Sequence, residues 1–299
     1  MGRTPSRTFG SVGVAMATPF APDGSLDIPA ARQLAAHLVE EGADCLILSG
    51  TTGESPTTHQ PEKDALVREV VAEIGDRAMI VAGAGSNDTA HGVRIAAGAA
   101  KSGAQGLLIV SPYYSKPSQE GIYQHISAIA SATDLPVMVY DIPGRTGVKI
   151  SDETFDRLAE NPQIKAVKDA AGDLPRGIAT SRRTGLEFYS GDDGLNLPWL
   201  TIGASGIVSV VGHVAARRYR AMVDAVDAHD LESAQQIDND LHVLVDAIMG
   251  GGQGAVMAKE ALAMLGVLPS PTVRLPLVGA SQAELDSLRR ALTQRGYLS

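Results

Sequence analysis

Lys168 closes the largely apolar run Ile164-Lys165-Ala166-Val167-Lys168, and the turn Asp169-Ala170-Ala171-Gly172-Asp173 follows at once. Taking an ammonium out of water is costly, so a lysine held in an apolar cavity tends to lose its proton near neutral pH. The neutral amine is a nucleophile that forms Schiff bases with carbonyl compounds. An arbitrary lysine is more often a solvated strand-end charge, so the company it keeps decides. Gly50-Thr51-Thr52-Gly53-Glu54-Ser55 offers two hydroxyls and several backbone N–H groups, a donor set able to hold a small carboxylate. Tyr113, Tyr114 and Tyr140 are three of the seven tyrosines, and all three fall at the ends of apolar runs. Arg145, inside Pro143-Gly144-Arg145-Thr146-Gly147, carries a guanidinium fork suited to a carboxylate. Taken singly, each has a plainer reading: turn-forming threonines, a core tyrosine, a rim ion-pair arginine.

Positioning such residues together requires a repeating frame. Eight short β-rich runs occur at 12–16, 43–49, 79–84, 106–110, 136–141, 164–169, 186–190 and 206–211. Most are separated by stretches of helical periodicity, such as 30–41 with Leu34, Leu38 and Val39 on one face, or 62–74 with Leu66, Val70 and Ile74. Alternating strand and helix implies parallel pairing. Eight units within this length predict a (β/α)8 TIM barrel rather than an open doubly wound sheet. Asp27-Ile28-Pro29 and Thr58-His59-Gln60-Pro61-Glu62 supply helix-start signals. Beyond 211 the pattern becomes helical, over 215–228, 231–249, 255–265 and 281–295 with a Pro-containing connector at 269–276. The expected division is a catalytic barrel over 1–230 and a C-terminal helical region over 231–299. In such barrels catalytic groups sit at the C-terminal strand ends, where Thr51, Tyr114, Tyr140, Arg145 and Lys168 all fall.

Bulk properties narrow the function. The net charge of −9 and pI near 5.2 leave no basic excess for a broad nucleic-acid or anionic-membrane surface. The single cysteine, Cys45, lies in an apolar stretch, which rules out an intramolecular disulfide and a Cys-based zinc site and suits a reducing cytoplasm. Residues 1–10 carry arginines but no apolar leader core, and no apolar run reaches membrane-spanning length. Gly83-Ala84-Gly85 and Gly250-Gly251-Gly252-Gln253-Gly254 are incomplete as nucleotide-binding loops and read as permissive turns. Asp192-Asp193 could suggest a metal, but no histidine shows ligand spacing with them, so a turn or supporting role is the stronger reading.

Together, Gly50-Thr51-Thr52-Gly53-Glu54-Ser55, Pro112-Tyr113-Tyr114, Tyr140-Asp141-Ile142-Pro143-Gly144-Arg145-Thr146-Gly147, Val167-Lys168-Asp169 and Ser190-Gly191-Asp192-Asp193 closely resemble the dihydrodipicolinate synthase family. The match runs in order through nearly the whole chain. The wider class, pyruvate-dependent Schiff-base lyases and aldolases on (β/α)8 barrels, includes N-acetylneuraminate lyase and 2-keto-3-deoxy sugar-acid aldolases. The resemblance implies condensation of pyruvate with L-aspartate 4-semialdehyde, the first committed step of diaminopimelate and lysine biosynthesis, without metal or organic cofactor. By the same resemblance Lys168 forms the Schiff base, Tyr140 moves the proton, and Thr51 and Tyr114 complete a relay. Thr52, with backbone near Val208 and with Gly191, belongs to the pyruvate site, and Arg145 binds the semialdehyde carboxylate and separates synthases from sialic-acid lyases. Tyr114 is implied to act in a neighbouring subunit, hence a homotetramer built as a dimer of dimers. The family's lysine feedback site maps onto Ser55, Gln60, Lys63, Asn87, His91 and Tyr113, where Gln60, Lys63 and His91 depart from the histidines and glutamate of lysine-inhibited members. Weak or absent lysine inhibition follows. The rival expectations are a sugar-acid or N-acetylneuraminate-type aldolase and a non-catalytic ligand-binding barrel.

Overall fold

Eight four- to six-residue segments of buried, mostly apolar side chains form the strands of a computed structural model that describes residues 6–298. The first five residues of the 1–10 segment therefore lie outside the described residues. The strands are β1 (Val12–Ala15), β2 (Cys45–Leu48), β3 (Met79–Gly83), β4 (Gly106–Val110), β5 (Val137–Asp141), β6 (Ile164–Asp169), β7 (Glu187–Ser190) and β8 (Gly206–Ser209). They pair in parallel in sequence order, and β8 closes on β1 through Val12↔Ile207, Gly13↔Val208 and Val14↔Ser209. This is the closed (β/α)8 barrel the strand count predicts.

The surrounding helices are α1 (Ile28–Glu40), α2 (Gln60–Ile74), α3 (Thr89–Lys101), α4 (Gln119–Ala130), α5 (Pro143–Thr146), α6 (Asp152–Ala159), α7 (Leu174–Thr184), α8 (Asn196–Thr201) and α9 (Gly212–Asp227). Three more follow: α10 (Leu231–Met249), α11 (Gly254–Met264) and α12 (Gln282–Gln294). Their starts are chemically marked. The Asp27 side chain accepts from Ala30 N at 3.0 Å ahead of α1, and the Glu62 side chain accepts from His59 N at 2.9 Å at the start of α2. Such caps satisfy backbone donors that a helix leaves open.

Because side chains alternate along a strand, each strand feeds two cores. Ile47, Val81, Leu108, Met138, Tyr140, Ala166 and Val208 fill the barrel interior. Leu46, Leu48, Ile80, Leu107, Val139 and Val167 pack outward under the helices. At the N-terminal end Phe9 stacks edge-on against Tyr189 at 6.2 Å, and the Tyr189 hydroxyl accepts from Phe9 N and donates to Gly10 O. The bottom is thereby plugged. A third core unites α9, α10 and parts of α11 and α12 with Val12 and Ile207. Among the described residues no single helix is long and apolar enough to cross a membrane, and α10 and α11 meet at 112°.

Candidate active site

Strand alternation sends Ala166 and Lys168 into the barrel while Val167 and Asp169 face the helices. Lys168 is 5 % exposed and lines a cavity of ≈ 250 Å³ together with Thr51, Thr52, Tyr140, Arg145 and Gly191. Tyr140 and Lys168 are register partners on β5 and β6, and Lys168 Nζ lies 4.4 Å from the centre of the Tyr140 ring. Among the described residues the amine has no hydrogen-bond partner. Burial pulls its pKa from 10.5 to about 8; the Asp193 carboxylate opposes that shift and the Arg145 guanidinium adds to it. Burial likewise holds the Tyr140 phenol well above its ordinary range, with Arg145 pulling it down and Asp192 pushing it up.

Gly191 has to be a glycine. A Cβ there would meet Lys168 Cε and Cγ at 2.9 Å, and Asp169 O at the same distance. The lysine side chain occupies the space a larger residue would take.

The turn after β2 is shaped by two left-handed residues, Ser49 (φ 53) and Glu54 (φ 52). Thr52 is buried and Thr51 exposed, and both line the lysine cavity. A second cavity of ≈ 360 Å³ adjoins the first, sharing Thr51, Tyr140 and Arg145 and adding Ser55, Tyr113 and Tyr114. Tyr114 is 89 % exposed and has a φ of 76°, a backbone conformation that a bulky residue adopts at a cost. Arg145 reaches the cavities from the one-turn helix α5. Val208 packs in the barrel interior, and the residue at the end of this segment that lines the lysine cavity is Val210.

The residues implied in feedback regulation divide into two groups. Ser55 and Tyr113 share the second cavity. Buried Lys63 donates to Ser55 O at 2.7 Å and to Ser55 Oγ at 3.1 Å, and burial takes its amine down to about 8, against the pull of Glu62. Gln60 donates to Asp64 Oδ1 at 2.7 Å. Asn87 and His91 are exposed around the start of α3 and line neither cavity.

Asp193 is fully engaged by protein donors. Its Oδ1 accepts from Ser209 Oγ, from Asn196 Nδ2 at 3.1 Å and from the Tyr219 hydroxyl at 3.0 Å. Its Oδ2 accepts from Val210 N at 2.8 Å and Val211 N at 3.1 Å. It ties the loop after β7 to the end of β8, the supporting role preferred from sequence. Behind the site, Asp141 on the outer face of β5 is buried, and burial raises its pKa to about 7, countered by the Ile150 N–H and reinforced by Asp169.

Sequence reasoning missed Lys259 and Arg274, which grip Glu54 from the C-terminal segment. A signal existed for the first. Lys259 is the only cation of α11, a helix that is apolar apart from it and Glu260, much as Lys168 ends a largely apolar strand.

A closed barrel that gathers a buried lysine, a tyrosine and two threonines at the C-terminal mouth of its strands has the arrangement of a (β/α)8-barrel enzyme. The chain belongs to the dihydrodipicolinate synthetase family, whose model matches residues 8–295. It is 53 % identical over 293 residues to 4-hydroxy-tetrahydrodipicolinate synthase 2 of Streptomyces coelicolor, covering 98 % of this chain and 97 % of that protein. It is 52 % identical over 292 residues to the 4-hydroxy-tetrahydrodipicolinate synthase of Corynebacterium aurimucosum, covering 97 % and 96 %. Among solved structures, the chloride-inhibited dihydrodipicolinate synthase of Acinetobacter baumannii complexed with pyruvate superposes with a TM-score of 0.93 at 34 % identity, covering 97 % of this chain and all (100 %) of that one.

Proposed function

We propose that this chain is a 4-hydroxy-tetrahydrodipicolinate synthase of the diaminopimelate and lysine pathway that joins pyruvate to L-aspartate 4-semialdehyde through a Schiff base on Lys168. The observation that carries the reading is the buried Lys168 amine, held against the Tyr140 ring in a cavity it shares with Thr51, Thr52 and Arg145. The neutral amine adds to the ketone carbon of pyruvate and water leaves, giving an imine. Once protonated, the imine accepts the electron pair of a methyl C–H bond as the proton departs, and an enamine results. Its terminal carbon attacks the aldehyde of the semialdehyde. The substrate's own amine then displaces Lys168 by transimination, closing the ring and freeing the enzyme.

Tyr140 is the proton carrier in this scheme, and Thr51 and Tyr114 link it to solvent. Thr52 holds the pyruvate carboxylate, with Gly191 and backbone near Val208 completing that pocket, and Arg145 takes the carboxylate of the semialdehyde. The exposure of Tyr114 and its strained backbone support its service in a second subunit, within a homotetramer arranged as a dimer of dimers. A cytoplasmic setting agrees with the one buried thiol, Cys45. Incubation with pyruvate and borohydride is expected to leave a reduced pyruvyl adduct on the peptide bearing Lys168, read by mass spectrometry. An unmodified Lys168 peptide would sink the Schiff-base reading. Turnover with L-aspartate 4-semialdehyde, measured against sugar-acid aldehydes, separates the synthase from its aldolase relatives.

A further inference from the structure

Neither Thr51 nor Thr52 has a side-chain hydrogen bond to protein among the described residues, so their hydroxyls point where the backbone of the turn directs them. What fixes the turn thus fixes the hydroxyls. Internally, Glu54 N donates to Thr51 O at 3.1 Å and Ser55 N to Gly50 O at 3.2 Å. From outside, Thr18 Oγ1 donates to Gly53 O at 2.7 Å. The strongest hold is on Glu54, a non-glycine residue in the left-handed region that needs its surroundings to keep it there.

Both Glu54 carboxylate oxygens are taken by the C-terminal segment. Lys259 Nζ donates to Oε1 at 2.5 Å, with the two side chains 0 % and 1 % exposed. Arg274 N donates to Oε2 at 2.9 Å. Lys259 also donates to Thr272 O at 2.7 Å. The Arg274 guanidinium donates to Gly24 O at 2.9 Å, to Thr57 O at 2.7 Å and to both oxygens of Glu62. Phe20 lies beneath both cations, 4.3 Å from Lys259 Nζ and 4.1 Å from Arg274 Cζ. α11, which carries Lys259, opens with Gly254 and Ala255 on the wall of the Lys168 cavity.

A fully buried ion pair is a weak source of stability, because desolvating two charges offsets most of their attraction. Its geometric effect is strong. We propose that Glu54, Lys259 and Arg274 are positioning residues for the Thr51-Thr52 turn, through which the C-terminal helices set the geometry of the pyruvate carboxylate site. This rests on the reading of Thr51 and Thr52 given above.

The test uses the full-length enzyme and three changes: Thr52→Val, the charge-neutral double variant Glu54→Gln/Lys259→Met, and Leu262→Ala. Leu262 is a buried residue of α11, one turn from Lys259, that takes no part in the pair's hydrogen bonds, and its truncation serves as a control for lost stability. For the folded double variant we expect a KM for pyruvate raised at least about tenfold and a kcat lowered on the order of 100-fold, the scale of a misplaced binding group. Leu262→Ala lowers the thermal midpoint while leaving KM and kcat within about twofold of wild type. Adding Thr52→Val to the double variant then costs little more, as expected of coupled positions. Should the double variant not fold, Arg274→Lys, which loses the fork but keeps the charge, carries the same direction of change at a few-fold scale. If Thr52→Val is impaired but the double variant, or Arg274→Lys in its place, keeps wild-type KM and kcat, the positioning role is wrong and the reading of the turn survives. If Thr52→Val itself is kinetically wild type, both fall.

Discussion

At pH 7 an amine titrating at about 8 is neutral in about one molecule in ten, whereas an ordinary lysine is neutral in roughly one in three thousand. Burial of Lys168 is therefore a chemical device as much as a packing one. The rate constant for adduct formation with pyruvate is expected to climb through a midpoint near pH 8 and level off above it; a profile flat from pH 6 to 9 would contradict the assignment. The same shift carries a stability cost. With the folded pKa near 8 and the unfolded one near 10.5, the folded state binds fewer protons between those values, so stability rises with pH across that window. The penalty is fully present below pH 8 and gone above about 10.5. Lys168→Met should accordingly be inactive yet more stable at pH 7, by about 3 kcal/mol if the whole shift of about 2.5 is recovered. Denaturant titrations of both proteins at pH 7 and pH 10 check this, since the gain has to shrink at the higher pH.

Each loop around this lysine is shaped by a strand end, and the strand ends are where sequence reading was least accurate. The eight runs are legible because each is a short stretch of buried, mostly apolar residues between turn formers. Their limits depend on contacts that periodicity does not encode. The second run reads as 43–49, but β2 stops at Leu48 because Ser49 turns left-handed. The last reads as 206–211, but β8 stops at Ser209 because the N–H groups of Val210 and Val211 go to the Asp193 carboxylate instead of a neighbouring strand. The helix expected over 215–228 begins at Gly212 and is interrupted at Ala215. The Glu54–Lys259 contact spans 205 residues, and no local pattern announces it. The connection between β2 and α2 yields a prediction of its own. Lys63 fills its pocket with a cation that already donates twice to Ser55, so a ligand ammonium there would meet like charge. L-lysine should give no half-inhibition below about 10 mM, a binding free energy weaker than roughly 3 kcal/mol. Initial rates at saturating pyruvate across a lysine series decide it, and submillimolar inhibition would refute the expectation.

The whole molecule leaves one member of the proposed relay outside the lysine cavity. Tyr140 and Thr51 line that cavity, whereas Tyr114 stands 89 % exposed on a loop of the adjoining one. A large aromatic side chain held out in water on a strained backbone gains little where it is, and a second copy of the chain could bury it. Shared sites of this kind in a two-fold dimer have an arithmetic signature. Lys168→Met and Tyr114→Phe should each lower turnover strongly as homo-oligomers, the first completely. Mixed in equal amounts under conditions that exchange subunits, half the dimers become hybrids, and each hybrid unites one intact Lys168 with one intact Tyr114 across the interface. Activity should then return to roughly a quarter of wild type. A tyrosine acting within its own subunit predicts no recovery, because every site in the mixture would lack one of the two groups.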